Sequence, residues 1–400
     1  MTKILQLCKK MPFPPKDGEG FAVMSFSESY NLLNCEIDLL SFNTSKHFVD
    51  QDQISAYNSP YTKVESVYLD NSINYLDAFL NIFSNSSYNI NRFISDNFKS
   101  KLIELLRSRN YDIVQLESLY MAPYIDAVKE YSSAKIIMRS HNIESNIWDD
   151  LARSNSNPVL KWYYKLCANR LKEFELENIN KYDLLLAISE PDAQIYSELN
   201  KNSNTLVCPV GVDTNAKVIA NKIGNEFRIG YLGSLDWNPN IEALKWFFEN
   251  VWSDIVEIYP DIKFHLAGRN AVREILNINM DSIVYHGEVS SSSEFINSLN
   301  AVVVPLFSGS GIRVKILESM ALSKLVISTN KGFEGIEIEN NTHGIIANNA
   351  AEFKTVILRV LNNEIDFDKI GQMARNFITE RFDRVNLAKM ALDSALEDHN

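Results

Sequence analysis

Short apolar β-type runs alternate with helix-length segments twice along this 400-residue chain, and a polar pause divides the two series. The first series holds "KILQLC", "CEIDLLSF", "KVESVYL", "YDIVQLE", "AKIIMRS" and "YDLLLAIS". The second holds "FRIGYLG", "IKFHLAG", "IVYHG", "AVVVPLF", "LVIST" and "HGIIA". Strand-length runs with helix-length spacers predict parallel β/α units, because a parallel pair needs a long crossover. The pause "CPVGVDTNAKVIANKIGNE" (208–226) is polar, carries Gly and Asn, lacks periodicity and reads as a linker. The chain therefore reads as α/β, with two tandem Rossmann-like domains facing each other across a cleft, residues 1–210 and 211–379. Helical spacing of Val385, Ala388, Leu392, Ala395 and Leu396 marks a last helix within 380–400, which is free to pack back on the first domain. Sheets of this kind bind ligands at the carboxyl ends of their strands, and a cleft between them is the natural active site.

Hydrophobic residues make up 46% of the chain, ample for two packed cores. The net charge of −12 argues against nucleic acid as a partner, so any anionic ligand must be held by a local cluster. No apolar run approaches the ~18 residues of a membrane span. The apolar part of "MTKILQLCKKMPFPP" is too short for a signal peptide and is followed by two lysines. Cys8, Cys35, Cys167 and Cys208 are widely spaced, which fits a reducing cytoplasm and not a structural zinc site. Residues 153–175, "RSNSNPVLKWYYKLCANRLKEFE", interleave basic and aromatic side chains. They allow a peripheral contact with the inner face of the cytoplasmic membrane, against the competing reading of an amphipathic helix packed on the first domain.

The densest chemistry lies in "FSGSGIRVKILESMALSKLVIST", residues 307–329. An apolar strand ending at Phe307 runs into "SGSG", a helix follows from "IRVKILESMAL", and "KLVIST" is the next strand. The first turn of a helix offers free N–H groups and a positive dipole end, which suit a phosphate. Gly309 and Gly311 let the backbone come close to it, and Arg313 and Lys315 add charge. Glu318 shares a helix face with Lys315, where a carboxylate suits the vicinal hydroxyls of a ribose. Together they outline a site for a sugar-nucleotide diphosphate. A dinucleotide fingerprint is excluded because Val314 stands where a third glycine is required, and no P-loop is present. The competing reading is an ordinary turn whose cations and Glu318 form exposed pairs.

With these residues in view, "GSGIRVKILESMALSKLVIST" resembles the donor-site helix of group 1 (family 4) glycosyltransferases of the GT-B fold. The resemblance covers most of the chain through "RSHNIES" (139–145), "LLLAISEPDA" (184–193), "CPVGVD" (208–213), "GYLGSLDWNPNIEALKWF" (230–247) and "FHLAGR" (264–269). It implies transfer of a hexose from a nucleotide-sugar, a UDP- or GDP-sugar first, to a glycan or lipid-linked acceptor in bacterial polysaccharide synthesis. It also implies retention of anomeric configuration, with neither cofactor nor metal. The donor side would comprise Gly233, Ser234, Gly309, Ser310, Gly311, Ile312 and Glu318. His141, Arg313 and Lys315 would be catalytic. Gly18 and Gly20, in a loop before the first helix, would lie on the acceptor side with Asn142 and Glu144, and Glu144 would orient His141 or touch the acceptor.

Two departures stand out. The family commonly carries two glutamates with seven residues between them. Glu318 matches the second, and Ser310 stands where the first would be. Many relatives place Arg and Lys just after the glycine matched by Gly233, whereas this chain has Asp236, Trp237 and Asn238 nearby, leaving Arg313 and Lys315 to supply the positive charge. "DFD" at 366–368 reads as solvated charge and not as a metal site. Two other functions stay open: a nucleotide-sugar epimerase of the same fold, and a nucleotide-sugar-binding protein that has lost catalysis.

Overall fold

The computed structural model describes residues 1–15, 17–72, 74–200, 204–218, 227–278, 280–309 and 311–397. They form two compact units, Met1–Gly211 with Arg384–Asn400, and Val212–Asp383.

In unit 1 the strands are β1 (Lys3–Cys8), β2 (Glu36–Thr44), β3 (Lys63–Leu69), β4 (Ile113–Leu116), β5 (Lys135–Ser140), β6 (Leu184–Ala187) and β7 (Thr205–Val207). They make one sheet in the order β3-β2-β1-β4-β5-β6-β7, and each neighbouring pair is parallel. The central strands β4 and β6 are buried along their whole length, as a parallel sheet covered by helices on both faces requires. The three-residue β7 is absent from the sequence expectation, being too short to show a pattern. The last helix, Arg384–Leu396, buries Leu387, Ala388, Ala391, Leu392 and Ala395 in the core of this unit. Leu396, expected on that stripe, is exposed: it lies a further ~100° around the helix from Ala395, beyond the core.

Unit 2 contains β8 (Ile229–Leu232), β9 (Phe264–Ala267), β10 (Ile283–Gly287), β11 (Ala301–Val304), β12 (Leu325–Ser328) and β13 (Ile345–Ile346). Their order is β10-β9-β8-β11-β12-β13, again parallel throughout. β11 stops at Val304 and not at Phe307, because Pro305 has no N–H to continue the ladder. The unit closes where the Val212 N–H donates to the Phe382 carbonyl at 2.9 Å and Thr214 Oγ1 donates to the Asp383 carboxylate. The helix Phe367–Phe382 therefore runs past residue 379 and the boundary falls after Asp383.

Both sheets share one topology. The chain starts at a central strand, builds outward to one edge, then returns to the other side. The reversal lies between β1 and β4 in unit 1 and between β8 and β11 in unit 2. The crevice beyond the carboxyl ends of such a pair is where open α/β sheets bind ligands.

Candidate active site

In unit 2, β8 leads into Gly233 and β11 leads into the turn that precedes the helix Val314–Ala321. Gly309 and Gly311 have φ of +92° and +83°, so the turn depends on residues without a Cβ. The helix begins one residue after Arg313, whose guanidinium turns back to donate to the Gly311 carbonyl at 2.7 Å and lies 5.8 Å from the Trp237 ring. Trp237 thus packs beside the turn, where many relatives would carry a cation. Ile312 is half-buried and Ser310 lies outside the described residues.

Lys315, in the first turn of the helix, reaches across to β8. Its ammonium donates to the Tyr231 hydroxyl at 2.5 Å and to Asn240 Oδ1 at 3.3 Å. Asn240 in turn donates to the Ser234 carbonyl at 2.7 Å, and Ser234 Oγ donates to Asp236 at 2.6 Å. Burial and then the charge of Arg313 push the Lys315 pKa down to about 7. Burial pushes the Glu318 carboxyl up to about 7, and that carboxyl has no hydrogen-bond or ion-pair partner among the described residues. No ion pair joins Lys315 to Glu318, so the pair of exposed opposite charges in the competing reading is not formed.

In unit 1 the residues expected to carry chemistry divide into two groups. His141 follows β5, and its Nε2 is 2.9 Å from Glu117 Oε2 at the end of β4. Since a carboxylate only accepts, His141 Nε2–H is the donor, and Nδ1 is left without a partner among the described residues. Glu117 also accepts from Gln6 and Gln115, at 2.5 Å each, and lies 3.6 Å from Arg139. Burial alone would raise its pKa, but Arg139 and the His141 hydrogen bond hold it down at about 2.

Glu144 does not orient His141. It opens the helix Glu144–Ser154, where it accepts from the Tyr120 hydroxyl at 2.9 Å and faces Lys9 at 4.0 Å. Asn142 is exposed beside His141. Gly18 and Gly20 lie inside the first turn of the helix Gly18–Leu32 and not before it, because Asp17 caps the Gly20 N–H at 2.9 Å.

Sequence reasoning missed Glu117, Tyr231 and Asn240. Glu117 left a trace, as a lone carboxylate ending the run "YDIVQLE". Tyr231 and Asn240 left none, because their role depends on a lysine 84 and 75 residues away.

These two sheets and their crevices define the GT-B glycosyltransferase fold, and comparison with known proteins agrees. Residues 226–363 match the family model described as Glycosyl transferases group 1. An uncharacterized 44.6 kDa protein in the cps region of Klebsiella pneumoniae is 24% identical over 400 residues, covering 96% of this chain and 97% of its own. HepE of Anabaena in complex with UDP is similar in structure, with a TM-score of 0.65 and 13% identity, over 98% of this chain and 99% of HepE. HepE in complex with UDP-glucose gives 0.62 at 14% identity, over the same shares. A variant of S. aureus TarM in complex with fondaparinux, α-GlcNAc-glycerol and UDP gives 0.66 at 13% identity, over 99% of this chain and 100% of TarM.

Proposed function

We propose that this chain is a retaining, metal-independent glycosyltransferase that moves a hexose from a nucleotide-diphosphate-sugar to a glycan or lipid-linked glycan acceptor in polysaccharide biosynthesis. The observation that carries the reading is the Lys315 ammonium, lodged against Tyr231 and Asn240 beside the end of β8, with the unpartnered Glu318 carboxylate one turn along the same helix. HepE in complex with UDP-glucose supports the donor class, and the cps region of the Klebsiella relative supports the setting.

In this reading the donor diphosphate lies at the N-terminal end of the helix Val314–Ala321, beside Arg313 and Lys315, and Glu318 accepts from the ribose hydroxyls. The bond from the anomeric carbon to the diphosphate oxygen breaks. The acceptor oxygen bonds to that carbon on the same face, and its proton passes to the leaving diphosphate. Two cations and the helix dipole stabilise the growing negative charge, and loss of one such group costs about 2–4 kcal/mol of barrier. On unit 1, Glu117 fixes the His141 tautomer, so that Nδ1 accepts a hydrogen bond from a sugar hydroxyl.

The test is a thermal-shift panel of UDP-, GDP-, ADP- and dTDP-sugars, repeated with Glu318→Ala and Arg313→Ala. A ligand that binds only the folded state raises its stability as RT ln(1 + [L]/Kd). One nucleotide-sugar should stabilise the native chain and neither variant. Variants that respond like the native chain would remove the donor site from this helix.

A further inference from the structure

Unit 1 has a second feature that the transfer chemistry leaves unused. The loops after β1, β2 and β3 surround a cavity of about 640 Å³. One wall is electrically balanced, since Lys9 and Lys10 each lie 3.3 Å from Glu19 and Lys10 also pairs with Asp17. The other wall is not. Lys46 and Arg92 line it and form no ion pair among the described residues, and His47 lies beside them. The nearby Asp70 carboxylate is taken up by Ser45 Oγ and the Ser72 N–H, at 3.0 Å each.

The same wall holds polar groups that lack partners. Asn89 is 6% exposed and its Nδ2 donates to nothing among the described residues, while Thr44 is 1% exposed and its Oγ1 is likewise unbonded there. Arg92 donates one bond to the Asn71 carbonyl, and its buried Nε donates none. Buried donors are rarely left unpaired, and those without a protein partner are completed by water, an ion or a ligand. Trp148, Tyr120 and Phe93 supply flat apolar faces to the cavity, whose volume suits a small glycan.

We infer that this cavity binds the phosphate or diphosphate group of a phosphorylated saccharide acceptor, with Lys46, Arg92 and Asn89 on the oxyanion and the aromatic faces on the sugar. The inference rests on unit 1 being the acceptor side. A tetrahedral dianion offers enough acceptor oxygens for two cations and an amide at once, whereas a neutral sugar offers neither cation an opposite charge. Phosphate of this kind comes either from a lipid diphosphate or from a soluble sugar phosphate.

The test is calorimetric titration of the full chain, with UDP saturating so that the donor site is closed to diphosphate. The probes are inorganic diphosphate, farnesyl diphosphate, glucose 1-phosphate, glucuronate and methyl glucoside. The phosphorylated probes should bind, and Lys46→Gln and Arg92→Gln should each weaken them by about tenfold or more while UDP affinity stays the same. Lys46 is exposed, so its substitution leaves the fold intact even if Arg92→Gln disturbs the Asn71 loop. Tighter binding of farnesyl diphosphate than of inorganic diphosphate identifies the lipid source, and preference for glucose 1-phosphate identifies the soluble one. Unchanged diphosphate affinity in Lys46→Gln overturns the inference, as does glucuronate or methyl glucoside binding as tightly as the phosphorylated probes. Failure of UDP to bind would sink the donor reading alone, and titration of Lys315→Met with diphosphate would then read this cavity by itself.

Discussion

A Cβ at position 233 would lie 2.4 Å from the Nζ of Lys315. The glycine at the end of β8 is therefore the space in which the ammonium sits. Gly233→Ala forces that ammonium away from Tyr231 and Asn240, and since it is the free end of a flexible side chain, the fold can give way. The expected outcome is a stability loss under about 1 kcal/mol with a tenfold weaker UDP affinity, measured by urea denaturation and calorimetry. Gly268→Ala is the contrast. Its Cβ would meet the Gly233 carbonyl oxygen at 1.9 Å, a clash with backbone, and it should cost about 3 kcal/mol of stability.

UDP affinity should depend on pH as a bell centred near neutrality. With a pKa of about 7, Lys315 is charged below that pH and neutral above it in the free protein. Above pH 7, binding an anion must first take up a proton, so affinity falls as pH rises. Glu318, also at about 7, accepts from both ribose hydroxyls as a charged acceptor only when ionised, so affinity falls as pH drops. Lys315→Met should erase the alkaline limb and Glu318→Gln the acid limb of a plot of log Kd against pH. A flat profile for the native chain would show that neither group titrates on binding.

Transfer should survive exhaustive chelation. With Arg313 and Lys315 meeting the charge of the leaving diphosphate, activity in EDTA should stay within about twofold of the untreated rate, whereas Arg313→Ala should lose about 30- to 1000-fold in kcat. Loss of activity in EDTA, restored by a divalent cation, would transfer that role to a metal.

The fold was legible because both sheets are parallel and buried. The run "KILQLC" coincides with β1, and the crossover helices left spacings no antiparallel protein would show. The glycine turn and the helix after it were legible too, since Gly309, Gly311, Arg313, Lys315 and Glu318 are neighbours in sequence. What sequence could not give is pairing across strands. His141 faces Glu117 because β4 and β5 lie side by side, and nothing in "RSHNIES" records that adjacency. Glu144, three residues from His141, was the nearer carboxylate in sequence, yet its position at the head of a helix directs it to Tyr120 instead. The cavity in unit 1 was hidden for the same reason, because Lys46, Asn89 and Arg92 come from separate segments that converge only in the folded unit.

The last prediction concerns Glu117, whose carboxylate is shared by Gln6, Gln115, Arg139 and His141 in the buried centre of unit 1. Its folded pKa of about 2 lies below the ordinary value of 4.5. Between those values the unfolded chain binds more protons, so Glu117 contributes stability above pH 4.5 that is lost as pH falls toward 2. The contribution at neutral pH is about 3 kcal/mol. Glu117→Gln should lower the urea midpoint at pH 7, because the buried Arg139 charge loses its counterpart, at a cost of about 3–5 kcal/mol. The gap between variant and native chain should narrow as pH is lowered from 5 to 3, since over that range the unfolded native chain takes up a proton at Glu117 that the variant has no group to bind. Should the variant still fold, its transfer rate should fall with that of His141→Ala, while UDP affinity, set on unit 2, stays unchanged. Equal pH dependence in native chain and variant would mean that Glu117 is not the ionised anchor of this cluster.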